Sequence, residues 1–312
     1  MGIQLFTELI KNPKFITIIK IIIGLGIFLY LISTIQFSTL VDTFLQIKII
    51  YLFPILFLVF FSILIRSFRW QMILQRLGIK QSIHDLFKYS LIGTFFASIT
   101  PAKIGDFSKA YYIWKNRKSH VDKSLISVIV DRVFDILTLL FFGLIATIYF
   151  PDIFYLFPIL LSMIVSILVI IILVIFGQKH ILNFISKIFL RKIKIKSLKK
   201  SLSFFKRPSF INKLFCVTVL NWLTIFFQAE FLILAFNQQI NILQSSLLIS
   251  MVMIITLIPI TISGFGTREF ATVYFFSLVG IGITTAISFS LLWTFFGIIL
   301  PAFIGGILTN KA

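Results

Sequence analysis

Cysteine, histidine and acidic side chains are all scarce in this chain of 312 residues. Cys216 is the single cysteine, so no disulfide can close within the chain. His84, His120 and His180 are scattered through basic connections at no metal-ligand spacing, so metal and redox chemistry drop out and no cofactor is expected. Asp and Glu number 10 against 29 Lys and Arg, a formal net charge of +19. In a soluble protein that excess would suggest nucleic acid. Here the basic residues sit in the connections between apolar runs, where positive-inside topology places them, so no nucleic-acid partner is expected.

What the chain has in abundance is apolar surface. Hydrophobic residues make up 59% of it and Phe alone occurs 39 times, far outside soluble usage; mean hydropathy is +1.08. The composition implies an integral membrane protein. Runs of about 20 residues, enough to cross roughly 30 Å of hydrocarbon, recur at about 15–37, 49–68, 123–150, 154–177, 211–236 and 282–308. The first is too long for the apolar core of a signal peptide and reads as a retained span. Two further segments, near 86–118 and 245–281, are interrupted by Pro and Gly.

Lys and Arg orient these runs. Lys11 and Lys14 precede the first span and only Lys48 follows it, which puts the N-terminus in the cytoplasm. After the second span come Arg66, Arg69, Arg76, Lys80 and Lys88, and then Lys115, Arg117, Lys118 and Lys123, so both ends of the segment near 86–118 lie on the cytoplasmic side and it enters and returns. The links at Pro151–Asp152 and Asn237–Asn241 carry no Lys or Arg and read as external, while Lys311 falls in the cytoplasm. Between about 178 and 213 many lysines and arginines occur with no acid, interleaved with Ile, Leu and Phe. That pattern fits an amphipathic helix lying on anionic lipid, or else a solvated cytoplasmic loop.

The expected architecture is all-α: one polytopic membrane helix bundle over 1–312, in two inverted halves at about 15–150 and 154–308, each containing a re-entrant helical hairpin. Charge counting leaves the second interrupted segment either re-entrant or fully spanning. The setting is expected to be a prokaryotic cytoplasmic membrane, with both termini inside.

Three polar clusters interrupt the apolar pattern. In SITPAKIGDFSKAYY, Pro101 and Gly105 break a helix and Lys103, Asp106 and Lys109 gather around the break. Unwound backbone in a bilayer is tolerated only against protein or water, and lysines beside a helix N-terminus suit a phosphate. Lysines snorkelling at the cytoplasmic surface are the plainer reading. In VIVDRVFDIL, Asp131 and Asp135 share one helix face about 12 and 18 Å beyond Lys123. Charges that deep cost at least ~2.5 kcal/mol each and need partners. Arg132 is the local cation, and a structural ion-pair network is the alternative to a binding role. In PITISGFGTREF, Pro259, Gly264 and Gly266 break the second segment and Arg268 and Glu269 open its return limb, placing an arginine fork at a positive helix end. Glu230, near Gln228, is a weaker candidate for a polar pathway.

Taken in order, P-x-x-x-G-D with a following basic residue and Ala110, then D-R-x-x-D, then P-x-x-x-x-G-x-G-x-R-E, resemble the transmembrane region of the lysylphosphatidylglycerol synthase family, flippase-like membrane proteins, over nearly the whole chain. Lys109 stands where that family commonly has Arg, and Ser263 where a glycine often precedes the G-x-G. The resemblance implies translocation of a phospholipid or lipid-linked phosphate between leaflets, without the separate soluble aminoacyl transferase domain of fused members. On this reading the substrate-binding residues are Lys103, Asp106, Lys109, Asp131, Arg132, Asp135, Arg268 and Glu269. Arg268, Lys103 and Arg132 would hold the phosphate while the carboxylates order them. Membrane lipids, anionic or phosphate-bearing, are the expected partners. A membrane-embedded transferase using Asp131 or Asp135 as general base, and a transporter of a soluble anion, are the alternatives; no nucleophile or nucleotide loop accompanies the carboxylates.

Overall fold

The computed structural model describes residues 13–100, 103–117, 121–176 and 208–310. Pro101 and the basic stretch 178–207 lie outside the described residues. The described chain is helical, with no β-strand element. In chain order the helices are α1 (Pro13–Ser33), α2 (Phe37–Leu45), α3 (Leu52–Arg76), α4 (Ile83–Ile99), α5 (Ser108–Arg117), α6 (Val121–Tyr149), α7 (Phe157–Phe176), α8 (Pro208–Ala235), α9 (Ile242–Ile255), α10 (Thr267–Ser277), α11 (Ile283–Thr294) and α12 (Leu300–Thr309).

Five stretches are long and apolar enough to cross a membrane: Phe15–Ser33, Ile49–Arg76, Pro151–Ile170, Pro208–Ala235 and Ile283–Thr309. They coincide with five of the six expected spans. The remaining one, at 123–150, is α6, a continuous helix of 29 residues, about 43 Å long at 1.5 Å per residue. Only 11% of the α1 span is buried within the protein. Ile18, Ile22, Leu25 and Leu29 are exposed along it, a surface that needs lipid rather than water as its solvent.

Both interruptions are real breaks in the backbone. α4 stops at Ile99, and the chain resumes as a 3-10 turn, Ile104–Phe107, running into α5. Thr100 stitches this break: its hydroxyl donates to the Phe96 carbonyl at 2.7 Å and accepts from the Gly105 N–H at 2.8 Å. A β-carbon at Gly105 would sit 2.1 Å from the Phe96 carbonyl oxygen, so only glycine lets the strand of chain fold back this closely. The second break, 256–266, separates α9 from α10 and leaves Pro259 exposed in a turn. Ser263, Gly264 and Gly266 all adopt positive φ there, which a helix cannot accommodate.

The chain divides into two compact units, each built from discontinuous segments. One takes residues 1–59, 94–106 and 226–304. In it α10 packs against α1, α9 and α11, and α2 packs on α11. Leu31, Leu40 and Ile287 form a core there, lined by Ile27, Phe44 and Leu291. Asn241 opens α9 by accepting the Leu243 N–H at 2.8 Å, while Gln244 reaches back to the Asn241 N–H, a capping box. The other unit takes 60–93, 107–225 and 305–312. Here α6 packs against α5 and α7, and Ile73, Leu77, Ile126, Val130, Phe134, Phe210 and Leu214 make its core.

Candidate functional site

Among the described residues, buried charged side chains gather in both units. In the second unit, α6 presents Asp131 and Asp135 one turn apart, as their spacing requires. Both find cations on other helices. Arg69, from α3 and fully buried, turns the Nε/Nη2 edge of its guanidinium toward Asp131 Oδ1, at 2.8 and 2.7 Å, and donates from Nη1 to Asp135 Oδ1 at 2.6 Å. Nη1 also donates to the Thr218 hydroxyl of α8 at 3.0 Å. Lys109, from α5, donates from Nζ to Asp131 Oδ2 at 2.9 Å, and its ammonium lies 5.0 Å from the centre of the Trp70 ring. Trp70 is fixed in turn by its indole N–H donating to the Ser127 hydroxyl at 2.9 Å.

Two cations thus contact the two carboxylates directly, and Arg132 adds its field at Asp131. Removing both ions of each pair from water costs several kcal/mol per ion, which the short charge-assisted hydrogen bonds from Arg69 Nε and Nη1 and from Lys109 Nζ oppose. Arg69 is the residue that reading the sequence missed. It falls among the basic residues that follow the second span, and nothing local distinguishes a flanking arginine from one turned inward. The available signal was the need of two deep aspartates for a cation on a neighbouring helix. Arg132, next to Asp131 in sequence, is half-buried on α6.

In the first unit, Glu269 and Arg268 open α10 and do different things. Glu269 is fully buried; its Oε2 accepts the Gly266 N–H at 2.6 Å, capping the helix, and its Oε1 accepts from the Ser290 hydroxyl of α11 at 3.1 Å. Arg268 is 2% exposed. It donates from Nη1 to the Thr294 hydroxyl at 2.6 Å and from Nη2 to the Ser263 carbonyl, both neutral acceptors. Among the described residues its Nε–H has no partner and no carboxylate pairs with it. Gly266 holds the loop in place: with φ +82°, a β-carbon there would sit 2.3 Å from the Gly24 carbonyl oxygen of α1.

The other sequence-predicted residues are spread around these clusters. Lys103, with φ 55°, and buried Asp106 sit at the first break. Glu230 of α8 accepts from the Ser245 hydroxyl of α9 at 2.6 Å. The structure therefore groups Lys109, Asp131 and Asp135 around Arg69, and groups Arg268, Glu269, Gly264 and Gly266 at the second break.

The profile of the family described as "Lysylphosphatidylglycerol synthase TM region" matches residues 17–305. A UPF0104 membrane protein of Methanocaldococcus jannaschii is 27% identical over 263 residues, covering 77% of this chain and 78% of that protein. The chain belongs to the lysylphosphatidylglycerol synthase TM-region family.

Proposed function

We propose that this member of the family moves a phospholipid or lipid-linked phosphate between membrane leaflets, with Arg268 meeting the headgroup phosphate. The observation that carries the reading is the buried Arg268 guanidinium, held only by neutral acceptors at a break between apolar helices. A charge in that setting costs about 2.5–3.5 kcal/mol on insertion scales, and a structural role alone would be met more cheaply by an apolar side chain. The neighbouring Glu269 carboxylate acts on Arg268 electrostatically, but its oxygens bond the Gly266 N–H and the Ser290 hydroxyl, so an arriving anion supplies the direct charged contact that Arg268 lacks.

In this reading both broken segments are re-entrant, the two halves are inverted repeats, and the termini lie in the cytoplasm. The lipid tails stay in the bilayer while the headgroup follows the polar breaks. Asp131, Asp135 and Lys109, neutralised together with Arg69, keep α3, α5 and α6 in register, and Asp106 and Glu269 order the two breaks. Anionic lipids are the partners, and no transferase step is invoked.

Leaflet exchange of fluorescent phospholipids in proteoliposomes tests the reading. Wild-type protein is expected to accelerate exchange and Arg268→Gln to abolish it with folding intact. Normal exchange by Arg268→Gln would remove Arg268 from the pathway. Uptake of radiolabelled inorganic phosphate into the same vesicles, without lipid exchange, would favour the soluble-anion alternative.

A further inference from the structure

Arg69 and Arg268 are both buried arginines, and they use the same edge of the guanidinium differently. The Nε/Nη2 edge of Arg69 faces a carboxylate: Nε donates to Asp131 Oδ1, and Nη2 lies 2.7 Å from the same charged oxygen. On Arg268 the equivalent edge carries one neutral carbonyl, from Ser263 on Nη2, and nothing among the described residues on Nε. That edge is the one that binds carboxylate and phosphate oxygens side-on through two parallel N–H groups.

We propose that Arg268 is an oxyanion receptor held shut by its own loop, with the Ser263 carbonyl standing where one phosphate oxygen will sit and the Thr294 hydroxyl latching the opposite Nη1. The proposal rests on the reading of Arg268 as the phosphate contact and adds how that site opens. Ser263 is a non-glycine residue at φ 54°, a conformation costly for any L side chain, so its carbonyl leaves Arg268 with relief of backbone strain. Thr294 is the last residue of α11 and is followed directly by a π-helical turn, Phe295–Ile299. π-Helical turns inside helices occur frequently at functional sites, and a local rearrangement of this one would carry the Thr294 hydroxyl off Nη1. Both latch contacts can therefore break without unfolding a helix. The ligand is a phosphate group presenting two non-bridging oxygens, whether a lipid phosphodiester or free phosphate.

The two latch contacts give variants that leave Arg268 intact and act in opposite directions. Thr294→Val removes one competing acceptor at constant shape and is expected to tighten anion binding by roughly threefold to tenfold. Ser263→Gly removes the strain of the closed loop and is expected to weaken it by roughly fivefold. Arg268→Gln should bind nothing, and Arg268→Lys, which keeps the cation without the side-on edge, serves the same purpose if the Gln variant does not fold.

The experiment is calorimetric titration of the detergent-purified protein with inorganic phosphate and, separately, with dihexanoylphosphatidylglycerol. The rank order Thr294→Val, wild type, Ser263→Gly for either probe sustains the latch. The lipid alone as ligand identifies a headgroup source, and phosphate alone a soluble one. Equal affinity in all three proteins overturns it. So does binding that survives in both Arg268 variants, or no binding of either probe by wild type and Thr294→Val. Because binding is read here and leaflet exchange separately, a latch that fails leaves the translocation result untouched, and the reverse.

Discussion

Arg69 ties three helices together through a single side chain. It bonds Asp131 and Asp135 of α6 and Thr218 of α8 while belonging to α3 itself. Arg69→Gln would leave Asp131 with Lys109 and take from Asp135 the arginine it pairs with, so a loss of about 3–5 kcal/mol is expected, read as a large drop in unfolding temperature in detergent. Asp135, whose side chain is 14% exposed, is expected to tolerate Asn with a smaller loss. Arg69→Met combined with Asp135→Asn should be less destabilised than the sum of the single changes, because each removes a charge that the other strands. Additive losses would mean that the two groups do not share one network. None of this was readable from Arg69 in its local context, where it looks like its neighbour Arg66.

The breaks set the behaviour of the helices around them. α10 starts where it does because Gly266 reaches positive φ beneath α1 and Glu269 turns back to cap it. Gly266→Ala must both adopt φ +82° and push against the Gly24 carbonyl, so a loss of more than about 2 kcal/mol and of leaflet exchange is expected. Gly26, two residues further along α1 than Gly24, has nothing near its β-carbon position, and Gly26→Ala should be neutral or stabilising by up to about 1 kcal/mol. Thermal unfolding of the pair checks the contrast: equal effects at the two sites would show that the loop does not lean on α1. The positions of both breaks were legible from Pro and Gly in the sequence. The backbone that Gly266 and Gly105 approach was not, because a close contact names two residues and a motif names one.

At the scale of the whole molecule, the proposed topology makes its own claims. With Cys216→Ser as background, single cysteines at Asp152 and Gln238 are expected to react with an impermeant maleimide in intact cells, and one at Lys80 only after permeabilisation. Labelling of all three from outside would overturn the proposed topology, and labelling of Lys80 alone would reverse its orientation. Cys216 itself is exposed on α8 within a candidate span. If Pro208–Ala235 crosses the bilayer as proposed, a charged maleimide is expected to reach Cys216 only after solubilisation.

The sequence by itself determined the class of the molecule: apolar helices of membrane-crossing length, two breaks at Pro and Gly, and motifs that place it in its family. These follow from quantities that are local or additive along the chain, namely hydropathy over about 20 residues, the φ preferences of Gly and Pro, and residue spacing on one helix. The tertiary structure decided which charges meet. Asp131 pairs with Arg69 and Lys109, Glu269 caps its own helix, and Arg268 is left facing a carbonyl and a hydroxyl. Those pairings depend on which faces of separate helices pack together, and at these distances a rotation of a single helix by one residue, about 100°, would exchange every partner.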